Sequence, residues 1–432
     1  MIYPWRSLTS AVHFEDVSSR IFRVELLVVL LLYSSVYSHT VFFEPILGPL
    51  PNPHYALLAL LSLYVLYRLY DGLHLPRATG IASIVFGAFC LYYSVTILWS
   101  PASEYALYKA TRLLTVTPLL FAATIIIATD QNGKHRVLRI FKYVLGLALL
   151  IALVTFYARG FNHSLSQLMG VNYLIYSRVL GVGALTAVLF ATVAETQRRR
   201  LRFAGLAAVL LVAMFLTGGR GPLIAAVMMA TGIVAVRFHQ TGRSLGWRSI
   251  VTGASISVLG LAVLAVVIGA RTIERFTTLL TLQDGSAATR LDLYWVAIES
   301  WSNAPLFGHG IGSYSIVGDV GRHPYWPHNL FLEVGAEAGL VGIILLILPF
   351  GIALFQFITF ETEISPSGLL AIAFVGYMLL NASLTGDISE NRALFVALAM
   401  LFATDRSPKF ECSLAYIGAR VRTAKRIRSM DG

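Results

Sequence analysis

One long apolar run decides the fold of this chain. Residues 329–358 read NLFLEVGAEAGLVGIILLILPFGIALFQFI, a stretch long enough to cross the hydrocarbon core of a bilayer as a helix. Apolar runs of similar character recur from one end of the chain to the other. The sequence therefore predicts an all-α polytopic membrane protein of about twelve transmembrane helices. The expected spans are 22–42, 53–69, 79–99, 107–127, 137–158, 175–195, 201–217, 221–238, 249–270, 329–358, 367–386 and 391–404.

The composition supports this class of protein. Hydrophobic residues make up 57% of the 432 residues, charged residues only 13%, and the mean hydropathy is +0.73. These values lie far outside the averages of soluble domains. The composition therefore excludes an ordinary soluble enzyme or binding module.

The basic residues indicate an orientation in the membrane. The net charge of +11 would also fit a nucleic-acid partner, but the basic residues gather in alternate loops, as the positive-inside tendency requires. We therefore expect no nucleic acid, and both termini on the cytoplasmic side. The loop at Glu361 and Glu363 carries no basic residue and is the exception. The basic cytoplasmic tail, 405–432, is expected either to touch anionic membrane lipids or to stay solvated.

The whole chain, 1–432, is interpreted as a single integral membrane domain, because no internal repeat or low-complexity linker divides it. The first apolar run lacks a small-residue cleavage site and is expected to remain as the first helix. Only two cysteines occur, Cys90 and Cys412, and their positions indicate neither a disulfide nor a thiolate metal site. We expect no cofactor and no metal.

The longest polar segment, 271–328, is expected to form a large periplasmic loop. The turn Thr217–Pro222 and the segment Gly386–Arg392 face the same side in this topology. Within the long loop, 288–301 has the spacing of an amphipathic helix, and 303–312 is a glycine-rich connection. Gly308, Gly310 and Gly312 follow no strand, so they do not form a nucleotide-binding fingerprint.

Three charged or titratable residues lie on this expected periplasmic side: Arg220, Arg290 and His328. Charges at membrane depth are costly and are usually retained for function. Arg220 could equally be an interfacial anchor, and Arg290 a solvated charge on an amphipathic helix. A lone histidine such as His328 often only hydrogen-bonds within its loop.

The motifs around these residues resemble the O-antigen ligase/polymerase superfamily. The resemblance is carried by Thr217-Gly-Gly-Arg220-Gly, by Arg290-x4-Trp295 with Asn303-x-Pro-Leu-Phe-Gly-His-Gly-Ile-Gly312, by Pro327-His328-Asn329-x2-Leu-Glu-x3-Glu337-x-Gly339, and by Leu98-Trp-Ser100. It covers roughly residues 215–342.

The resemblance implies a GT-C-type glycosyltransferase in a bacterial inner membrane. Members of that family move a glycan from undecaprenyl diphosphate to a sugar hydroxyl at the periplasmic face, without metal or nucleotide. Independently, guanidinium groups suit a diphosphate leaving group because they bind phosphate in bidentate fashion. Arg220 and Arg290 are therefore expected to bind the donor diphosphate. His328 is expected to act as the base that activates the acceptor hydroxyl, with inversion at the anomeric carbon.

Further residues form a second group of candidate substrate contacts. His323 is the second choice for the base, and His309 also competes. Lys109 and Arg112 share a helix face and either extend the diphosphate site or pair with Glu104, which is the favoured interpretation; Arg178 has the same ambiguity.

Two acidic residues on the tenth expected span belong with this group. For Glu333, a helix-packing salt bridge is expected. Glu337 is expected to support the site. Asp387 and Glu390, in an outer segment, are expected either to contact acceptor sugars or to remain solvated.

Three functions stay open at this point. A ligase would transfer the glycan to lipid A–core in lipopolysaccharide biosynthesis, and the full set of Arg220, Arg290 and His328 favours it. A polymerase for O-antigen or exopolysaccharide would use the same donor with a carrier-linked acceptor. A lipid-linked sugar transporter would also fit the number of spans, but the informative charges lie at one face.

Overall fold

In the computed structural model, the described residues are 23–37, 53–73, 75–160, 172–241, 285–321, 325–360 and 364–403. They form helices and connecting turns. Two short 3-10 helices, Ser34–Val36 and Thr96–Trp99, follow the α-helices that end at Leu32 and Val95. The α-helices in these ranges are α1 Val24–Leu32, α2 Pro53–Tyr70, α3 Arg77–Val95, α4 Ser103–Leu114, α5 Val116–Ala128, α6 Gly133–Gly160, α7 Tyr173–Val193, α8 Gln197–Thr217, α9 Arg220–Gln240, α10 Gly285–Asn303, α11 Tyr314–Val317, α12 Leu330–Phe360, α13 Pro366–Ala382 and α14 Arg392–Met400.

Seven helical segments in the described part of the chain are long and apolar enough to cross a membrane. They are Arg77–Trp99, Ser103–Ala128, Gly133–Ala158, Tyr173–Val193, Gln197–Thr217, Arg220–Gln240 and Leu330–Thr359. The chain is therefore a multi-pass membrane protein, and the predicted all-helical class is confirmed for the described residues. These seven segments coincide with seven of the twelve expected spans.

The other five expected spans are not among these seven segments, for different reasons. The span 249–270 lies outside the described residues. Helix α2 forms as expected but carries Arg68 and His54 and is less apolar than the seven. Helix α13 has 17 residues, and α1 and α14 have only nine each. Residues 394–400 of α14 are buried within the protein, so this run is apolar because it packs in the core.

Local sequence signals explain several helix ends. The side chain of Asn172 accepts a hydrogen bond from the amide of Leu174 and caps α7. Ser365 caps α13, directly before a proline at its first position. Helix α8 ends where Gly218 adopts the left-handed conformation, with φ of 80°.

The fourth expected span is divided into α4 and α5. The break is at Thr115, with φ of −115° and ψ of −78°. Pro118 lies in the first turn of α5, where it has no amide hydrogen to donate and its ring would clash with the carbonyl of Leu114 in a continuous helix. The proline therefore accounts for the interruption between α4 and α5.

Helix α7 occupies the centre of the bundle and packs against α6, α8, α9 and α13. Small residues allow these close contacts. A Cβ on Gly183 would lie 2.4 Å from the Cβ of Ala148 in α6, so only glycine fits there. On the other side of the molecule, α12 packs against α3 and α10.

Candidate active site

The arginine turn connects α8 to α9. Gly218 turns the chain, and Arg220 is the first residue of α9. Gly219 packs directly against α7, because a Cβ at this position would lie 2.4 Å from Oγ of Ser177. The two glycines therefore fix the half-buried Arg220 at the end of the bundle beside α7.

Arg178 follows Ser177 on α7 and lies at the same end. It is 9% exposed, and its Nη2 donates a hydrogen bond of 3.0 Å to the carbonyl oxygen of Thr385. Its Nε has no hydrogen-bond partner among the described residues. Gly386 lies beside this guanidinium, since a Cβ there would lie 3.3 Å from both Nη2 of Arg178 and Oε2 of Glu390.

Segment 383–391, between α13 and α14, joins the elements that carry the candidate residues. The side chain of Leu384 lies 3.6 Å from the position of a Cβ on Gly221, next to Arg220. The hydroxyl of Tyr294, one turn after Arg290 on α10, donates to the carbonyl oxygen of Ser383 at 3.2 Å. The structure thus brings the helices of both arginines to adjacent residues of one segment.

His328 comes just before α12 and lies beside aromatic rings. Its ring meets those of Tyr325 and Trp326 edge to face, with centroids 5.5 and 5.8 Å away. Nε2 lies 3.4 Å from the hydroxyl of Tyr325, and Nδ1 is buried without a hydrogen-bond partner among the described residues. Its backbone φ is +57°, an uncommon conformation for a side-chain-bearing residue that is found preferentially at functional sites.

The surroundings keep the imidazole of His328 neutral. Burial, which is the larger cause, and the positive charge of Arg290 together lower the pKa of His328 to about 4. Arg290 is therefore near enough to act on His328 electrostatically. At neutral pH the ring carries a lone pair and can accept a proton.

Lys109 has partners that the sequence did not reveal. Its Nζ lies 2.5 Å from Oε1 of Glu333 and 2.7 Å from Oε2 of Glu337, and all three side chains are buried. The expected pairing of Lys109 with Glu104 is therefore wrong; the partners come from α12 because α4 and α12 meet in the core. The expected helix-packing salt bridge of Glu333 is confirmed.

The two acidic partners of Lys109 also bind other parts of the chain. The hydroxyl of Tyr93 donates to Oε2 of Glu337 at 2.6 Å. The amide of Ile388 donates to Oε2 of Glu333 at 3.1 Å, which joins segment 383–391 to α12. Glu337 therefore lies in a buried network next to the candidate site.

Helix α12 is interrupted at Gly339, which has φ of 66° and ψ of −163°. The glycine-rich loop 303–312 fills the break. The amides of Leu340 and Val341 donate to the carbonyl oxygens of Pro305 and Leu306 at 2.9 and 3.2 Å. A continuous helix was expected over 329–358, and the break was missed because glycine is common in membrane helices.

The same loop bonds to the first half of α12. The amides of His309 and Gly310 donate to the carbonyl oxygens of Ala336 and Glu337 at 3.0 and 2.8 Å. A Cβ on Gly308 would lie 2.3 Å from the carbonyl carbon of Glu337. The glycines of this motif therefore serve close backbone packing, which main-chain bonds then fix.

Leu98-Trp-Ser100 holds the other side of this loop. Nε1 of Trp99 donates to the carbonyl oxygen of Gly308 at 3.3 Å, and Oγ of Ser100 donates to that of Ile311 at 2.7 Å. His309, a competitor for the role of base, has Nε2 2.9 Å from the carbonyl oxygen of Ser300. His323, the second choice, lies outside the described residues, as does the tail 405–432.

The remaining candidates lie around α4 and α14. The guanidinium of Arg112 stacks on the ring of Tyr108, 4.3 Å from its centroid. Asp387, expected to contact sugars or stay solvated, is instead buried and accepts a 2.6 Å hydrogen bond from the hydroxyl of Tyr105. Arg392, which sequence reasoning did not single out, donates from Nε to the carbonyl oxygen of Leu32 at 3.1 Å.

Comparison with known proteins finds one family similarity, in the part of the chain that carries the candidate residues. Residues 204–347 match a family model described as O-antigen ligase, a range that holds Arg220, Arg290, His328 and Glu337. No curated protein matches the chain. The matched range coincides closely with the motifs, 215–342, from which the resemblance was drawn. Residues 204–347 of the chain, which include the motifs around Arg220, Arg290 and His328, are similar to the O-antigen ligase family.

Proposed function

We propose that this protein is an O-antigen ligase. It transfers a glycan from undecaprenyl diphosphate to a sugar hydroxyl of lipid A–core, in lipopolysaccharide biosynthesis. The family match supports an enzyme that acts on lipid-linked sugars. The proposal for the individual residues is supported by their geometry.

The observation that carries the proposal is a histidine at the entry to α12 with a positive φ and a ring nitrogen that has no hydrogen-bond partner among the described residues. An acceptor hydroxyl needs a base, and a leaving diphosphate needs fixed positive charge. His328 is held in a strained backbone conformation with a buried, unpartnered Nδ1, and Arg290 is close enough to lower its pKa. The base would thus act on the attacking acceptor, and the phosphate-binding group on the leaving diphosphate, of the same displacement reaction.

The proposed reaction is a single displacement. His328 takes the proton of the acceptor hydroxyl while its oxygen forms a bond to the anomeric carbon. The bond from that carbon to the phosphate oxygen breaks, and undecaprenyl diphosphate leaves with both electrons of that bond. The anomeric configuration is inverted. In this mechanism no step requires a metal or a nucleotide.

The two arginines form the proposed diphosphate site. Their guanidinium groups stay protonated and bind phosphate oxygens in pairs. Arg220 and Arg290 are carried by helices that contact neighbouring residues, Leu384 and Ser383. Arg178, which bonds to the next residue of that segment, Thr385, is proposed as a further cation for the donor, and Arg112 as a peripheral one.

The proposed orientation follows from the charges of the loops. Basic loops lie on the cytoplasmic side together with both termini, so the site faces the periplasm of a bacterial inner membrane. The turn at Arg220 and the segment before α12 then meet the periplasmic donor. Cysteine accessibility of an added residue next to Arg220 measures this orientation directly.

A transfer assay with purified protein tests the function. The protein in lipid vesicles receives an undecaprenyl-diphosphate-linked glycan with lipid A–core, or with more carrier-linked glycan, and neither metal nor nucleotide. Product on lipid A–core supports a ligase. Longer carrier-linked chains alone would make the protein a polymerase, and no product from either acceptor would favour a transporter.

Variants in the same assay test the residues. Arg220→Met, Arg290→Met and His328→Ala should each abolish transfer. Arg202→Met removes an exposed arginine from the opposite end of α8 and should transfer as wild type does. Full activity of both Arg220→Met and Arg290→Met would rule out the proposed diphosphate site.

A further inference from the structure

The first half of α12, residues 330–338, is a separate structural unit. At Gly339 the backbone has φ of 66° and ψ of −163°, so regular helical hydrogen bonding is interrupted at this point. The second half, beyond this break, cannot by itself hold the first half in place. Contacts from other elements must fix it.

Lys109 provides a central contact of this unit. Its ammonium lies between Glu333 and Glu337, which are one helical turn apart, at 2.5 and 2.7 Å. The rings of Tyr93 and Tyr105 lie 5.9 and 5.4 Å from Nζ. One side chain therefore bonds to two successive turns of the half-helix and contributes to both its position and its rotation.

The half-helix in turn carries His328. The side chain of Asn329 accepts hydrogen bonds from the amides of Phe331 and Leu332, at 3.0 and 3.2 Å, and caps α12. His328 directly precedes this cap with φ of +57°. Because this backbone conformation is tightly restricted, a shift of the half-helix displaces the imidazole with it.

We propose that Lys109 is a positioning residue, which holds the first half of α12 through Glu333 and Glu337 and so places His328 against the acceptor. From the sequence, Lys109 was expected either to extend the diphosphate site or to pair with Glu104. The structure favours positioning, because the side chain of Lys109 is fully buried and already bound to two carboxylates. The catalytic part of this inference rests on the proposed function.

Hydrogen–deuterium exchange tests the structural part without any substrate. In Lys109→Met, the amides of 330–338 should exchange roughly tenfold faster than in the wild type, while 341–358 remain unchanged. Arg139→Met is the matched control. It removes one of two arginines that bind Glu25, and Arg136 remains 2.6 Å from that carboxylate. If the variant increased the exchange rate equally in both halves of α12, or in neither half, the inference would be overturned.

Kinetics test the catalytic part. Misplacement of a base by about 1 Å lowers the rate by about 100-fold, so kcat of Lys109→Met should fall by that order while KM for the donor stays within about twofold. A raised donor KM with unchanged kcat would show a phosphate contact instead and overturn the proposal.

A charge-balanced variant separates positioning from the cost of burying unpaired carboxylates. Lys109→Met combined with Glu333→Gln and Glu337→Gln leaves no buried charge in the trio but also no ion pair. It should fold as wild type does and keep the low kcat. Restored kcat would overturn the positioning role. Absence of transfer by the wild type would refute the proposed function and this catalytic role, whereas the exchange result would still decide the structural part.

Discussion

Replacing Gly339 by alanine should strongly destabilise the protein. The backbone at Gly339, with φ of 66° and ψ of −163°, lies in a region that is almost exclusive to glycine, and side-chain-bearing residues there cost about 1–3 kcal/mol. The new Cβ would also lie 2.3 Å from the carbonyl carbon and oxygen of Leu306 and 2.5 Å from the amide nitrogen of Phe307. Backbone atoms cannot rotate away as a side chain can.

Relief of this clash requires the loop to separate from the helix. Two main-chain hydrogen bonds, from Leu340 to Pro305 and from Val341 to Leu306, would lengthen as it does. Overpacking of this kind costs about 1–3 kcal/mol. Together with the backbone strain, we expect Gly339→Ala to lower the free energy of unfolding by about 2–6 kcal/mol.

The assay is equilibrium unfolding of the purified protein in mixed detergent micelles, followed by tryptophan fluorescence as the fraction of denaturing detergent rises. Gly351→Ala is the control on the same helix, because nothing lies within 4 Å of its Cβ position. Alanine there should be neutral or stabilise by up to about 1 kcal/mol. If the two variants unfold within about 0.5 kcal/mol of each other, the interpretation of the break at Gly339 is wrong.

Four further predictions concern His328, Glu337 and the loop that packs against α12. The neutral form of His328 should persist down to a pH of about 4, so the rate at which His328 is carbethoxylated, followed by mass spectrometry, should fall with a midpoint near that pH. Arg290→Met should move this midpoint to a higher pH. An unchanged midpoint in the variant would contradict an electrostatic effect of Arg290 on His328. Because folding lowers this pKa, protonation of His328 should not reduce the free energy of unfolding above a pH of about 6.5. As the pH falls from there toward 4, it should reduce the free energy of unfolding progressively. Tyr93→Phe should lower the free energy of unfolding by about 1–3 kcal/mol, since Glu337 loses a buried donor, and no loss would argue against that bond. Gly308→Ala should destabilise the protein as Gly339→Ala does, and the double variant should lose less than the sum of the two, because both separate the same segments.

The sequence predicted the class of fold, and it placed the turn at Arg220 on the same side as segment 386–392, where the structure brings Gly221 and Leu384 together. Hydropathy located seven spans because length and apolarity are sufficient to recognise a helix that crosses the bilayer. The expected span 391–404 is not among these seven, and its helix α14 is buried within the protein, where an apolar helix has the same composition as one in lipid. The turn at Arg220 was predictable, since paired glycines between apolar runs stop a helix locally.

The partners of Lys109 could not be predicted, because they depend on which helices pack together. Spacing along one helix favoured Glu104, whereas the actual partner Glu333 is 224 residues away in sequence. The break at Gly339 was hidden for a related reason. A glycine within a membrane helix indicates a break only when another backbone approaches it, and that backbone belongs to 305–310. The role of His328 remains a prediction.

The ion pair of Lys109 also has a consequence for how the protein is made. Lys109 leaves the ribosome 224 residues before Glu333. At synthesis rates of about 5–20 residues per second, its ammonium exists for about 11–45 s without the carboxylates that neutralise it. Because a lone charge is costly in hydrocarbon, we expect α4 to stay at the translocon or at the membrane surface during that interval. Its final insertion would then wait for α12, which makes the synthesis of α12 the step that completes this part of the bundle.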